Sequence, residues 1–384
     1  MTNSLFGYDD DEGLAIDTLR RFLDDKLEPE IRAHGDGHFS KTQLTGWISQ
    51  LTDFGLINAP LPEEAGGLGQ SWRLHLRLFE EVAYSSIDLA IPLLMNVVCA
   101  SIIHTLAPDH LRERYLAGLL RGKFMASMGI SEPNVGSDVS GVRTRAVRDG
   151  DHWVISGEKT WISNGAHSDF LICTCSTGDG ELTHILLERH EHPYEVRAIE
   201  KMALNGQSTA QIFLDDVRVP VANTIGQIGD GLRNTLAVFE RARIHVAALG
   251  YGLARRARDE AIRYARDRTQ HGKPIAAHQL IADKIATMAM QIDAARLLGL
   301  RAASMIDEGK RCDAECAMAK WYGTEIAVDA TRQAVQIHGG NGVTREFIVE
   351  RLAREAIVLP IPDGTTEIQK LIVSRSLTGI SAFK

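Results

Sequence analysis

Residues 128–138, Met128-Gly129-Ile130-Ser131-Glu132-Pro133-Asn134-Val135-Gly136-Ser137-Asp138, stand where the periodicity of the chain changes. Before them, from Leu14 to Leu120, apolar residues recur every three or four positions, as in Ile16, Leu19, Leu23 and Leu27, or Leu74, Leu78 and Val82. That spacing predicts helices. After them, as far as Val221, short apolar runs such as Trp153-Val154-Ile155, Phe170 to Cys175 and Ala210 to Leu214 are separated by Asp-Gly, Asn-Gly and Gly-Asp-Gly turns. Such runs predict an antiparallel β region. From Gly231 to Leu377 helical periodicity returns in long Ala- and Arg-rich stretches, whose small-residue stripes suit a bundle. The expected fold is α+β and mainly α. Its expected parts are an N-terminal helical domain over 1–122, a β-barrel-like domain over 123–232 and a C-terminal four-helix bundle over 233–384.

Composition bounds the function. The chain of 384 residues is long for one hydrophobic core, so on the order of two or three domains are expected. A net charge of −8 offers no basic excess to offset phosphate, which argues against non-specific nucleic-acid binding. Five cysteines without a disulfide-framework spacing indicate a reducing compartment. Cys173 and Cys175 fall on one face of a predicted strand, and Cys312 and Cys316 are four apart on a predicted helix. With no further Cys/His pair at ligand spacing, buried thiols are a better reading than a metal site. Met1 to Glu12 is polar and acidic, with no apolar h-region. The apolar stretch from Ala90 to Leu106 is interrupted by Pro92, Asn96, Ser101 and His104, so it reads as a core helix. A cytoplasmic protein that inserts in no membrane is expected.

Several segments carry possible chemistry. The loop with Gly136, Ser137 and Asp138 either turns backbone N–H groups and hydroxyls toward an anionic or carbonyl ligand or is an ordinary solvated turn. Trp161-Ile162-Ser163-Asn164-Gly165 is a strand end whose indole either packs in the core or stacks on a planar cofactor. No Gly-x-Gly-x-x-Gly follows a predicted strand, which disfavours a Rossmann dehydrogenase. Further on come Phe239-Glu240-Arg241-Ala242-Arg243, Arg268-Thr269-Gln270-His271-Gly272, Gln336-Ile337-His338-Gly339-Gly340 and Ile361-Pro362-Asp363-Gly364-Thr365-Thr366-Glu367-Ile368-Gln369.

In this order and spacing the segments resemble the signatures of the acyl-CoA dehydrogenase family, and Pro62 to Gly69 extends the resemblance toward the N-terminus. The resemblance implies FAD as cofactor. Ile130 and Ser131 would reach the pyrimidine side of the flavin, Trp161 would lie beside the ring, and Ser163 would hydrogen-bond near N5. Ser137 would sit between flavin and CoA, and Arg243 would contact CoA. Arg268 and Gln270 would reach the FAD pyrophosphate across a subunit interface, with His271 standing where the family has Phe. Gln336 and Gly340 would meet a partner's FAD, and Thr365 and Glu367 the adenosine end. A homotetramer and electron transfer to an electron-transferring flavoprotein are likewise implied.

The base segment departs from the family's Tyr-Glu-Gly-Thr-x-x-Ile-Gln, because Pro362 replaces Tyr and Asp363 replaces Glu. The resemblance makes Asp363 the base and Asp363 with Gly364 a substrate contact. The competing reading is a helix N-cap at Asp363, although Thr365 is an equally good cap. Asp is one methylene shorter than Glu, and a misplacement near 1 Å can cost on the order of a hundredfold. The neighbouring prolines stiffen the approach to Asp363. Some members carry the base at the position of Ala242, which cannot serve here. The expected reaction is α,β-dehydrogenation of an acyl thioester, with a branched, alicyclic or carrier-protein-bound acyl group to suit the shorter base. A nitroalkane oxidase-like or monooxygenase reaction on the same scaffold, and a flavin-binding protein without turnover, remain open. Met95, Cys99 and Ile103 are either tunnel lining or ordinary core.

Overall fold

The computed structural model describes residues 8–383. Six helices come first: α1 (Asp10–Phe22), α2 (Glu28–His34), α3 (Lys41–Leu51), α4 (Trp72–Ser85), α5 (Ile87–Leu106) and α6 (Asp109–Leu120). A π-helical turn, Leu23–Leu27, joins α1 to α2 just before Pro29. A wider turn there accommodates a residue with no N–H and a ring that would clash with the preceding turn. The strands are β1 (Ala126–Gly129), β2 (Arg145–Asp149), β3 (His152–Ser163), β4 (Phe170–Gly178), β5 (Glu181–Glu188), β6 (Glu195–Ala198), β7 (Thr209–Pro220) and β8 (Thr224–Ile225). Then follow α7 (Gly231–Asp267), the hairpin β9 (Thr269–Gln270) and β10 (Lys273–Pro274), α8 (Gln279–Asp307), α9 (Asp313–His338), α10 (Val349–Val358) and α11 (Thr366–Thr378).

The α, β, α order and the mainly helical character are as expected. One correction concerns the sheet, which is mixed rather than wholly antiparallel. Its order is β6-β7-β3-β2-β4-β5-β8, with β1 lying parallel to β4 and Arg145 of β2 meeting Ser176 of β4 in parallel register. Strand β1 enters from α6 rather than through a hairpin, so no tight turn dictates an antiparallel partner.

The chain packs as two compact units that cut across the order of the sequence. One contains residues 33–70 and 88–239. Here the sheet buries Trp153, Ile155, Ile162, Leu171, Cys173, Cys175 and Ile185 in a common core, so the two strand thiols do share a face. Helix α5 is long and apolar enough to cross a membrane by length and composition, yet most of it is buried, Cys99 and Ile103 completely and Met95 only partly. Its buried Asn96 donates to the Phe124 carbonyl at 2.9 Å and accepts from the Ala126 N–H at 3.0 Å, pinning β1.

The other unit contains the first helix, residues 71–87 and the chain from Glu240 onward. Helices α7 and α9 touch backbone to backbone in it. A Cβ added at Gly250 would lie 2.3 Å from the Gly323 carbonyl oxygen, so glycine is needed at this crossing. A buried ion cluster ties α4, α7 and α8: Arg255 and Arg296 each reach Glu80 at 2.6 Å, while Arg255 and Arg77 both pair with Glu81. Burial opposes ionisation of Glu80 and Glu81, but the surrounding guanidinium groups outweigh it and hold both carboxyls below their ordinary range.

Carboxyls lowered in this way stabilise the fold above their unfolded-state values and lose that contribution as pH falls toward the folded ones. Stability to denaturant is therefore expected to decline below about pH 4. Glu80→Ala is expected to cost roughly 3–5 kcal/mol at neutral pH, since it leaves buried guanidinium groups without their anion. Urea unfolding of the variant across pH checks both outcomes.

Candidate active site

In the sheet unit, the segments around Ile130 and Trp161 are tied together by a buried lysine. Lys159 of β3 is fully buried, and its ammonium donates to the Ile130 carbonyl at 3.0 Å and to Glu132 at 2.8 Å. Glu132 also accepts from the backbone N–H groups of Arg143 and Thr144, each at 2.8 Å. Burial pushes the Glu132 carboxyl up, but Lys159 and the Thr144 hydrogen bonds outweigh it and leave it below the ordinary range. Ser131 closes the same junction, its hydroxyl donating to the Thr160 carbonyl at 2.7 Å while the Thr160 N–H donates back at 3.0 Å.

Beyond Lys159 the pairing of β3 with β7 shifts register before Ile162, and Trp161 sits at the irregularity with φ 63°. Left-handed backbone is rare for a bulky residue and marks a constrained position. The bulge turns the indole outward, where it is 62% exposed. Of the two readings of Trp161, core packing is thereby excluded. Asn164, also left-handed, is buried and fastens the turn through the Ala126 carbonyl at 3.0 Å. Ile130 is almost buried, Ser131 and Ser163 are half-buried, and Ser137 is exposed. A Cβ at Gly136 would meet no protein atom within 4 Å, so the signature loop leaves open space beside it. An outward indole with serine hydroxyls on the adjoining segments suits a planar, hydrogen-bonding flavin ring.

The helical unit carries the base segment. Asp363 has φ 55° and Gly364 φ 90°, two successive left-handed residues. Helix α11 begins with Thr365 as its N-cap, so Asp363 is not the cap. The backbone N–H of Asp363 has no hydrogen-bond partner among the described residues, which leaves it free to donate. Two side chains grip this turn from behind. Gln369, fully buried, donates to the Asp363 carbonyl at 3.1 Å and to the Gly364 carbonyl at 2.7 Å. Lys320 of α9, also fully buried, donates to the Pro360 carbonyl at 2.9 Å and to the Gly364 carbonyl at 2.6 Å. Burial raises the Asp363 carboxyl above the ordinary range, against the opposing pull of Lys320 and Arg243.

Arg243 of α7 is 6% exposed, makes no ion pair among the described residues, and its Nε has no hydrogen-bond partner. A buried, uncompensated guanidinium is costly and asks for an anionic or carbonyl-bearing partner. Glu240, half-buried on the same helix, lies 3.6 Å from the Cys312 thiol, which itself lies 3.6 Å from Cys316. The remaining expected cofactor contacts lie on the outside of this unit. Arg268, Gln270, Gln336, Gly340 and Glu367 are exposed, Thr365 is half-buried, and His271 turns the β9–β10 hairpin with φ 52°.

Residues 9–123, 127–217 and 229–378 match the N-terminal, middle and C-terminal domains of acyl-CoA dehydrogenases. The chain belongs to the acyl-CoA dehydrogenase family. It is 36% identical over 369 residues to the probable acyl-CoA dehydrogenase YngJ of Bacillus subtilis, covering 94% of this chain and 97% of that one. It is 35% identical to glutaryl-CoA dehydrogenase of Desulfococcus multivorans, with 94% and 95% covered. Its identity to the caffeyl-CoA reductase–Etf complex subunit CarC of Acetobacterium woodii is 32%, over 93% and 96%. The solved structure of butyryl-CoA dehydrogenase from Megasphaera elsdenii superposes with TM-score 0.91 at 31% identity, over 97% of this chain and 99% of that one. Members of this family are FAD-dependent oxidoreductases acting on CH–CH bonds, and this chain is a flavoprotein of that kind.

Lys159, Glu132, Lys320 and the grip of Gln369 escaped the reading of the sequence. The available signal was a charged residue at a buried register position, Lys159 within a strand and Lys320 between Ala317 and Gly323 on a small-residue helix face. Glu132→Ala is expected to destabilise the protein by roughly 3–5 kcal/mol, because it strands the Lys159 ammonium. Glu132→Ala combined with Lys159→Met should recover much of that loss. Thermal unfolding and flavin content of the single and double variants give the measurement.

Proposed function

We propose that this chain catalyses the α,β-dehydrogenation of an acyl thioester with Asp363 as the base that removes the α-proton. The observation that carries the reading is the Asp363 turn, whose carboxyl stands at the family's base position while its own N–H is left without a partner. Removing a weakly acidic α-proton requires a base and a donor for the charge that develops on the thioester oxygen. One residue supplies both, the carboxylate for the proton and the N–H for the oxygen. The raised proton affinity of Asp363 suits it to accept that proton. When bound, FAD supplies the acceptor for the β-hydride. Trp161, Ser131, Ser163 and Ile130 would hold its ring, with Arg268, Gln270, Gln336, Gly340, Thr365 and Glu367 at its far end. Arg243 and Ser137 would take the thioester and CoA side, and a buried cation lacking a partner supports a CoA-type substrate over a small neutral one.

The acyl group is branched, alicyclic or carrier-protein-bound in this reading, since the shorter base favours a substrate that sits differently from a straight chain. Electrons pass to an electron-transferring flavoprotein, a partner class named in one relative's complex. The chain assembles as a homotetramer. In support, apolar side chains stand exposed along α8 at Leu280, Met290 and Leu297, and beyond it at Val343 and Leu377. The location is cytoplasmic.

Anaerobic titration of the yellow protein with a panel of acyl-CoAs is expected to bleach the visible flavin band with one acyl class. No bleaching by any acyl-CoA or acyl-carrier-protein thioester would turn the assignment toward the oxidase reading. Asp363→Asn should retain FAD and slow flavin reduction on the order of a hundred- to ten-thousandfold. In the unsubstituted enzyme the reduction rate should rise with pH through the elevated Asp363 value, because only the carboxylate acts as base. Multi-angle light scattering of the holoprotein should report a tetramer, and a monomer with full FAD occupancy would refute the assembly.

A further inference from the structure

Proton abstraction as described leaves Lys320 without a part, although its side chain is fully buried behind the base turn. An ammonium removed from water costs several kcal/mol, and a lysine gives up roughly 2 kcal/mol of rotamer entropy when fixed. A methionine of similar length would fill the same space without the cost of removing a charge from water. The geometry shows what the lysine adds. Its Nζ bonds the carbonyls of Pro360 and Gly364, the two sides of the turn that carries Asp363, at 2.9 and 2.6 Å. Left-handed backbone costs an L-residue about 1–2 kcal/mol, so the conformation of Asp363 needs such restraint.

The charges are arranged to match. Asp363 is the strongest anion acting on Lys320, and Lys320 ranks before Arg243 among the cations acting on Asp363. Arg243 from α7, Glu325 from its own helix and Glu367 from α11 also act on Lys320. No ion pair within 4 Å joins Lys320 to Asp363 among the described residues, so the charge of the lysine acts on the carboxylate from beyond ion-pair distance.

We propose that Lys320 is a positioning residue, which holds Asp363 and Gly364 in their left-handed turn and supplies the positive charge that keeps the Asp363 carboxylate ionised before it takes the α-proton. The inference rests on the reading of Asp363 as base. Burial brings the Lys320 ammonium down to about 8, so its electrostatic support of the carboxylate fades as pH rises past that value, while the neutral amine keeps two N–H groups for the two carbonyls. The rate of flavin reduction then has an acid limb from Asp363 and an alkaline limb from Lys320.

The test compares Lys320→Met, Lys320→Gln and Lys320→Arg in the flavin-loaded protein. One readout needs no turnover: infrared difference titration of isotope-labelled aspartate against an Asp363→Asn reference, which follows the Asp363 carboxyl alone. In the Met and Gln variants its midpoint is expected to rise by roughly 1 pH unit or more. The reduction rate should fall on the order of tenfold to a hundredfold, and the alkaline limb should disappear. The Arg variant should keep the midpoint near that of the unsubstituted protein and also lose the alkaline limb, because a guanidinium stays charged. An unchanged midpoint in the Gln variant, or an alkaline limb that persists in all three, overturns the proposal. If the Met variant does not fold, the Gln and Arg pair decides. Failure of every acyl thioester to reduce the flavin would instead refute the base assignment, while the infrared midpoint still reports on Lys320.

Discussion

An ammonium group taken out of water has to be met by oxygen atoms, and this chain buries two lysines where that demand organises a loop. Lys159 gathers the Ile130 carbonyl and Glu132, so the signature loop is bound to β3 just before the bulge that presents Trp161. Lys320 gathers the Pro360 and Gly364 carbonyls, so the base turn is bound to α9. In both cases the lysine serves at least one main-chain carbonyl, which fixes backbone and not only a rotamer. Each buried ammonium is expensive, and breaking a buried pair costs more than never having made it. The two loops therefore inherit the rigidity of the strand or helix behind them.

That rigidity is what permits unfavourable backbone. Six described non-glycine residues have positive φ, and four of them, Trp161, Asn164, His271 and Asp363, lie in the segments matching the family's site signatures. Such residues persist only where the surroundings over-determine them. At Asp363 the identity of the residue matters as well, since Asp enters the left-handed region more readily than most side chains. The Asp in place of Glu thus sits well with the turn that carries it, and the lost methylene is the corresponding cost in reach. The two prolines that precede it narrow the ways in which the turn can be approached.

Much of this was legible in the sequence. Periodicity of three to four gave α1, α4, α7 and α8, and turn-bounded apolar runs gave β3, β4, β5 and β7, because those signals are local. The parallel placement of β1 was not legible, since pairing between Ala126 and Phe170 depends on where α6 delivers the chain. The turn at Asp363 lies in a segment that its motif singles out, whereas the side chains that grip it carry no such mark. Lys320 and Gln369 act on carbonyl oxygens, which every residue carries and no sequence pattern marks. A lysine among Cys316, Ala317, Ala319 and Gly323 is nevertheless a readable anomaly, because charged residues are almost never fully buried without a reason. Trp161 shows the opposite case, a residue whose two readings only the φ angle and the exposure could separate.

The charge balance of the base turn bears on why these groups are fixed. Burial raises the proton affinity of the Asp363 carboxyl, and Lys320 and Arg243 oppose that by favouring the carboxylate that the proposed reaction needs. In the proposed reaction the α-proton would move to Asp363 and that charge would pass to the thioester oxygen, for which the N–H of the same residue is the available donor. On that proposal the negative charge would travel only the distance between two groups of one residue and its substrate. The cations need not move to follow it. Stabilisation that is already in place requires no reorganisation at the moment of reaction. A rigid turn with fixed cations would lower the barrier of the proposed reaction by holding still, and on that proposal a buried lysine has a role where a packed apolar side chain would have been cheaper.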